Sequence, residues 1–534
     1  MRIQNAPRLA GLCMFGLCLS GVLVIAAYPP ISAGWLAYIA LVPFLLVLHR
    51  ASGIASQLKW TAVLALFWSA GLFYFTLLMP DTTVGERIGA FAGVFVVILL
   101  QLFVFAVVAG RALQRSGFGW QVVLVGWWWA GNEWLAARAL FGLSLFLGVT
   151  QWQYPPLVML AGWVGLHGVS LLVMLTNATI VWALVKWQEQ GRRGFIRVYN
   201  VVTKPFATQM LPLAAIILLA FAVVLVQQGA RMNAPALSES TMYVPVATAQ
   251  DTALLVLVQS SFSMTEYLVA AGDASQQEQL FARLLAQSAA GVGAAKAGWS
   301  THHAGKPLPL IMVFWPETVL QAPVLSYPEY KAQTAAFVQE SGAWLVAGLP
   351  WLEEADYFNS AMLINPQGIV SGRYDKVRTI PVAEGWATPG TAWIPLQAGE
   401  VSVGVGLCSE IIDPLPAKRL SAQKAEVLAF MSSLDYLGES AAPALQAAFA
   451  PFRAAEHGRY VAQIGSVGYT LVASPQGHIT ARLPWGTAGT LIAEAPLLQQ
   501  CTRYDYWGDV LPVCGLLAGL FLVQPTGSRR RIKK

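Results

Sequence analysis

Charge is scarce in this chain. Asp, Glu, Lys and Arg make up 11% of its 534 residues, whereas 56% are apolar. This is the composition of a membrane protein diluted by a polar portion. Cysteine is also scarce: only Cys13, Cys18, Cys408, Cys501 and Cys514, with no CxxC pair. That excludes a disulfide framework and leaves Cys408 as a free thiol. Histidines are few and none has metal-ligand spacing, so neither a metal centre nor a cofactor is expected. No GxGxxG or P-loop stands between a strand and a helix, which excludes the usual nucleotide sites. The net basic balance does not imply nucleic acid, because the Lys and Arg sit in short clusters between apolar runs.

Seven apolar stretches come first, near Leu9–Ala27, Gly34–Leu48, Trp60–Met79, Gly89–Val108, Trp120–Ala137, Leu157–Val185 and Met210–Val226. Most approach the roughly 20 residues that a spanning helix needs. An eighth, Val510–Val523, lies near the C-terminus. The first reads as an uncleaved span rather than a signal peptide, because another apolar run follows at once. Basic residues mark alternate connections: Arg2 and Arg8, Arg50 and Lys59, Arg111 and Arg115, the group from Lys186 to Lys204, and the tail from Arg529 to Lys534. The positive-inside rule then puts both termini in the cytoplasm and the segment between spans seven and eight on the outer side. The expected division is a seven-span region (1–226), an outer domain (227–509), and a last span with a basic tail (510–534). Glu133 interrupts the fifth run and is expected near its outer end or paired with Arg138.

The outer segment changes character. Short β-type runs alternate with helical ones, which predicts an α/β domain with helices covering sheets. Strands are expected at 253–262, 308–314, 343–349, 401–408 and 425–432. Helices are expected at 265–289, 326–341 and 441–457. Hairpins are expected around NPQG (365–368) and SPQG (474–477).

Three polar groups follow strands at corresponding places: Glu317 in FWPE, Lys376 in GRYDK and Cys408 in GVGLC. A carboxylate, an ammonium and a thiol together suit acyl transfer. The carboxylate takes the thiol proton, and the ammonium favours both the thiolate and the oxyanion formed on attack. Taken singly, Glu317 also reads as a cap of the turn after Pro316, Lys376 as a solvated charge beside Asp375, and Cys408 as a small buried hydrophobe.

WPE, YDK with PVAEGW a few residues on, and LCSE, in this order, resemble the nitrilase superfamily of Glu-Lys-Cys enzymes. Joined to membrane spans, they resemble the apolipoprotein N-acyltransferase family. GWLAYIALVPFL (34–45), FWSAGLFYF (67–75), NEWLAARALFG (132–142), GWVGLHGVSLLVMLTNA (162–178), VLVQSSF (256–262), FRAAEHGR (452–459) and TRYDYWGD (502–509) extend the likeness along nearly the whole chain. The resemblance implies a membrane α-helical bundle of about eight spans plus an αββα sandwich. It implies Glu317 as base, Lys376 as oxyanion stabiliser and Cys408 as nucleophile. Glu384, Ser409 and Glu410 would support them, and Trp386 and Tyr436 would meet substrate. The implied reaction passes an acyl chain from a phospholipid, typically the sn-1 chain of phosphatidylethanolamine, through a thioester. The chain ends on the α-amine of a lipid-modified apolipoprotein. The protein would be a monomer of the bacterial inner membrane with its catalytic domain periplasmic, partnered by membrane lipids and not by nucleic acid. A membrane-tethered amidase, a paralogue with another acceptor and a non-enzymatic scaffold are the alternatives.

Departures from the family stand at Ser409, usually Tyr; at Ser433 and Leu434, usually Asn–Asp; at Tyr436, usually Trp; and at Gln463 and Ser466, in a segment usually RATNTG. Trp386 and Trp393, on a Gly/Pro-rich loop, read either as a lid dipping into lipid or as core packing.

Overall fold

The computed structural model describes residues 6–51, 53–79, 82–114, 119–139, 144–202, 241–245, 251–380 and 384–523. The chain divides into two compact units, residues 78–82 with 232–506 forming one and the remainder the other.

The helical unit contains helices Ala6–Ala27, Val42–Arg50, Ile54–Leu72, Val84–Gln114, Gly119–Ala139, Ala161–Val202 and Val510–Val523. Among the described residues three stretches are long and apolar enough to cross a membrane: Ala10–Ala27, Val84–Gln114 and Ala161–Gln188. Gly34–Arg50 and Val510–Leu522 are apolar but shorter. The expected seventh span, Met210–Val226, lies outside the described residues.

The polar residues inside these apolar helices satisfy backbone that leaves regular geometry. Asn177 accepts from Leu41 N at 2.9 Å and donates to Ala37 O at 2.8 Å, where the helical run from Gly34 is broken. Gln101 bonds both Leu145 N and Leu145 O. Glu133 is fully buried and is not paired with Arg138, contrary to expectation. Its Oε1 accepts from Leu147 N at 2.6 Å and from Ser170 Oγ at 2.9 Å, and Oε2 lies 3.5 Å from His167 Nδ1. Arg138 instead meets Asp509 at 2.5 Å. The buried irregular segment from Ser144 to Gln151 needs acceptors for its N–H groups, and Glu133 supplies one of them to Leu147 N.

The second unit holds thirteen described strands: β1 (Thr241–Val244), β2 (Thr252–Gln259), β3 (Leu310–Phe314), β4 (Trp344–Glu353), β5 (Asp356–Ile364), β6 (Val370–Asp375), β7 (Leu396–Ala398), β8 (Val401–Leu407), β9 (Val427–Ser432), β10 (Tyr460–Gly465), β11 (Leu471–Ala473), β12 (Ile479–Arg482) and β13 (Gly489–Pro496). They form two sheets, in the orders β1-β13-β2-β3-β4-β5-β6 and β12-β11-β10-β9-β8-β7. Side chains alternate between two cores, as period-2 strands require. Leu255 and Leu257 of β2 meet Val403, Val405 and Leu407 of β8 between the sheets. Leu254, Val256 and Val258 face the other way, onto Phe281, Leu284, Val292 and Trp299 of a long helix. Because both faces are covered, the interiors of β2 and β8 are buried on both sides and largely apolar instead of alternating. Helices Pro414–Ala422 and Ala450–His457 lie between strands of the second sheet in sequence and bury Leu420 and Phe452. The result is a nitrilase-like α/β unit with its two sheets packed face to face.

Two expected helices are each divided. The run 265–289 becomes Met264–Gly272 and Ala274–His302, because Asp273 accepts from Ser275 N and Gln276 N and starts a new helix. The run 441–457 becomes Ala441–Ala447 and Ala450–His457, with Pro451 in the first turn of the second. The NPQG turn joins β5 to β6, with Asn365 Oδ1 accepting from Gln367 N and Ile369 N and Gly368 at φ +80°. SPQG joins β11 to β12, so the second expected hairpin is a three-stranded meander beginning at β10.

Candidate active site

Strand ends converge on one buried cluster. Glu317 follows β3, Lys376 follows β6, Cys408 follows β8 and Ser433 follows β9, each just beyond a C-terminal end. That edge is where α/β sheets place reacting groups. After β3 the chain stays registered on β4, with Trp315 N donating to Val346 O and Val319 N to Gly348 O. The approach requires glycine at 348, since a Cβ there would meet Pro316 O at 2.1 Å.

Lys376 is fully buried and bridges two carboxylates: Nζ lies 3.0 Å from Glu317 Oε1 and 2.5 Å from Glu384 Oε1. Asn359 Nδ2 bridges the same pair, donating at 2.8 Å and 3.0 Å. Glu317 Oε2 accepts from Ser433 N at 3.1 Å, and Glu384 Oε2 from Ile380 N at 2.6 Å. Burial alone would push the Lys376 ammonium down, but the charges of Glu317, Cys408 and Glu384 hold it above its ordinary value. Burial raises the Glu384 carboxyl, with Lys376 opposing and Glu317 adding to the rise.

Cys408 is a buried free thiol on a short turn, at φ +48°. A non-glycine residue held there stores roughly 1–3 kcal/mol of backbone strain, which the surroundings must maintain. Glu410 maintains it. Its carboxylate accepts from Leu407 N at 2.8 Å, Tyr374 Oη at 2.6 Å, Trp393 Nε1 at 2.9 Å and Arg378 N at 3.3 Å. Arg453 donates to Ile411 O and Ile412 O behind the same turn and is paired with Glu456. Burial pushes the Cys408 thiol well up, Glu317 adds to the rise, and Lys376 and a hydrogen bond from Gln446 oppose it. The cluster thus sets a carboxylate and an ammonium of opposite effect on the same thiol.

The candidate residues separate into those brought together and those left outside. Glu317, Lys376, Cys408 and Glu410 are buried together, and Glu384 is half-buried against Lys376. Tyr436 is half-buried beside it, and its hydroxyl is raised by burial and then by the charges of Cys408 and Glu317. Ser409 is half-buried. Trp386 is 46% exposed, whereas Trp393 is held inward by Glu410. Trp393 therefore follows the packing alternative and Trp386 alone is open.

The divergent loops knit to one another. Ser433 Oγ and Ser466 Oγ both donate to Asp435 Oδ1, at 2.6 Å and 3.1 Å. Because Ser433 reaches Glu317 through its backbone N–H, that contact does not depend on its side chain. Gln463 is buried in β10. Sequence reasoning missed Asn359, Tyr374 and Gln446. Only Gln446 carried a signal, as an isolated polar group in an Ala-rich helix, where unpaired burial is costly. Among the described residues no group of three or more His, Cys, Asp or Glu is placed to hold a metal ion.

Residues 20–179 match the apolipoprotein N-acyltransferase N-terminal domain, and residues 273–504 match the carbon-nitrogen hydrolase family. The apolipoprotein N-acyltransferase of Geobacter metallireducens is 24% identical over 542 residues, covering 96% of this chain and 95% of that protein. Along nearly its whole length this chain is similar to the apolipoprotein N-acyltransferases. The family's enzyme of Pseudomonas syringae pv. tomato is 27% identical over 239 residues, 40% of this chain and 46% of that relative. That of Mycolicibacterium smegmatis is 26% identical over 243 residues, 41% of this chain and 40% of the relative, so the chain aligns with less than half of either one. Two solved structures are also similar. Saccharomyces cerevisiae Nit3, a member of branch 10 of the nitrilase superfamily, has 17% identity, with 52% of this chain and 97% of that chain covered and a TM-score of 0.36. An amidase from Nesterenkonia sp. has 18% identity, with 47% and 93% covered and a TM-score of 0.34. These matches and the apolar helices support a membrane-associated acyltransferase of the nitrilase superfamily.

Proposed function

We propose that this protein moves a fatty acyl chain from a phospholipid to the α-amine of a lipid-modified N-terminal cysteine through a thioester on Cys408. The observation that carries this reading is a buried thiol on a positive-φ turn. A carboxylate and an ammonium, Glu317 and Lys376, lie close enough for their charges to act on it.

Glu317 takes the thiol proton as Cys408 Sγ attacks the ester carbonyl carbon. Lys376 stabilises the resulting oxyanion, and Glu317 passes the proton to the leaving alcohol oxygen of the lysophospholipid. The amine then attacks the thioester carbon, Glu317 accepts a proton from the amine, and the released thiolate recovers that proton. Glu384 and Asn359 hold Lys376 and Glu317 in place, and Glu410 holds the nucleophile turn. The charge pattern supports about eight spans, with both termini cytoplasmic and the second unit on the outer side of a bacterial inner membrane.

The test uses purified full-length protein, phospholipid with a tagged acyl chain, and a diacylated lipopeptide. Transfer of the tag to the peptide amine is expected. Release of free fatty acid with no acylated peptide would replace this reading with a membrane-tethered hydrolase.

A further inference from the structure

Gln446 touches the reacting sulfur and has no part in the chemistry above. It lies in the short helix Ala441–Ala447, within the apolar run AAPALQAAFA, and is 4% exposed. Ser440 Oγ caps that helix by accepting from Ala442 N at 3.3 Å. Gln446 Nε2 donates to Cys408 Sγ at 3.6 Å. Its Oε1 is buried and has no hydrogen-bond partner among the described residues. Two physical points follow. An amide N–H only donates, so its bond to sulfur strengthens as the sulfur becomes negative. Oε1 is bonded to the same carbon as Nε2, so a free acceptor stands beside the nucleophile, and a buried acceptor kept without a partner calls for an explanation.

We propose that Gln446 is a catalytic residue for both half-reactions, its Nε2–H supporting the Cys408 thiolate and its Oε1 receiving an N–H of the amine that resolves the thioester. The proposal rests on the acyltransferase reading and narrows the acceptor to a primary amine. When the amine nitrogen attacks, a C–N bond forms and the C–S bond breaks. Sγ leaves as a thiolate held by Gln446 Nε2 and Lys376. One N–H proton passes to the Glu317 carboxylate and from there to the thiolate. The second N–H remains on Oε1 and becomes the amide N–H of the product. A secondary amine has a single N–H and cannot serve Glu317 and Oε1 together.

The experiment compares full-length Gln446→Leu and the nearly isosteric Gln446→Glu with the parent. Three rates are measured: thioester formation from tagged phospholipid, resolution of the preformed thioester by N-terminal cysteinyl or N-methylcysteinyl diacylated peptides, and iodoacetamide alkylation of Cys408 followed by peptide mass spectrometry. In Gln446→Leu, alkylation at pH 8 should slow about tenfold and resolution by the primary amine about 10- to 100-fold. Its preference for the primary over the secondary amine should shrink. In Gln446→Glu, thioester formation should fall about 10- to 100-fold and resolution by the primary amine by a smaller factor, because the donor to sulfur is lost in both steps while the acceptor oxygen is kept. Unchanged alkylation in Gln446→Leu overturns the thiolate role. Unchanged resolution and amine preference overturn the acceptor role. If Gln446→Leu does not fold, equal losses of both half-reactions in Gln446→Glu overturn the assignment. A parent that forms no thioester removes the acyltransferase reading and this proposal together. A parent that forms it, with variants that match it, removes this proposal alone.

Discussion

Replacing Glu317 by Gln should separate two properties that usually fall together. The substitution keeps shape and removes one charge. In the parent, two carboxylates face one ammonium: Lys376 Nζ meets Glu317 Oε1 at 3.0 Å and Glu384 Oε1 at 2.5 Å. A glutamine oxygen at 317 can still accept from Lys376 and Asn359. Its NH2 group then faces Ser433 N, which loses its 3.1 Å acceptor. One buried donor left unpaired costs about 1–3 kcal/mol, so the variant should fold with a lowered unfolding temperature. Losing the base should slow acyl transfer about 10²- to 10⁴-fold. The thiol should respond in the opposite sense. Burial raises Cys408 first and Glu317 second, while Lys376 opposes both. Removing Glu317 leaves Lys376 without that competitor, so more thiolate is present at any given pH. Alkylation of Cys408 by iodoacetamide at pH 8 should therefore accelerate on the order of tenfold. The assay is peptide-resolved mass spectrometry of Cys408 alongside transfer from a tagged phospholipid. Slower alkylation in Glu317→Gln, or transfer at the parent rate, would refute this electrostatic account.

Lys376→Met leaves Glu317 and Glu384 buried without their ammonium; thermal unfolding of the purified protein should register a loss of about 3–5 kcal/mol, with alkylation of Cys408 slowed instead of accelerated. Parent-like stability would mean that the bridge is not formed. Glu410→Ala strands Leu407 N, Tyr374 Oη and Trp393 Nε1, so a loss of roughly 3–5 kcal/mol is expected, together with transfer reduced at least about tenfold. Retained activity would show that the nucleophile turn holds itself. Glu133→Leu removes the acceptor of Leu147 N and Ser170 Oγ. Detergent-solubilised protein should unfold at lower temperature by the equivalent of about 2–5 kcal/mol, while the iodoacetamide rate at Cys408 stays at the parent value. A changed Cys408 rate would show that Glu133 acts on the catalytic unit.

The strands before Glu317 and Cys408 were legible as apolar runs ending in a polar group, and the polar strand before Lys376 as the return arm of the NPQG hairpin. Their convergence was not, since it depends on the pairing of β3 with β4 and of β5 with β6, and on two sheets packing face to face. The unit's doubly covered sheets also follow from the apolar run Ala253–Val258 of β2 and the nearly apolar β8. Helix breaks at Asp273 and before Pro451 were missed because apolar periodicity runs across them, and local capping chemistry decided otherwise. The Arg138 alternative for Glu133 failed because the irregular segment that the carboxylate serves lies 14 residues further along the chain. Trp393 was ambiguous on its Gly/Pro-rich loop until Glu410 claimed its indole N–H. Asn359 lies in the mixed run DYFNS and Gln446 in an Ala-rich helix, and no local pattern assigns either residue a partner.

Intact-mass and peptide mass spectrometry of the full-length protein, incubated with tagged phospholipid in the absence of any acceptor, tests the central claim directly. The account predicts a hydroxylamine-labile acyl adduct on Cys408 that disappears when a diacylated lipopeptide is added, and no adduct or transfer in Cys408→Ala. Acylated peptide produced by Cys408→Ala at the parent rate, or an adduct on another residue, would contradict it.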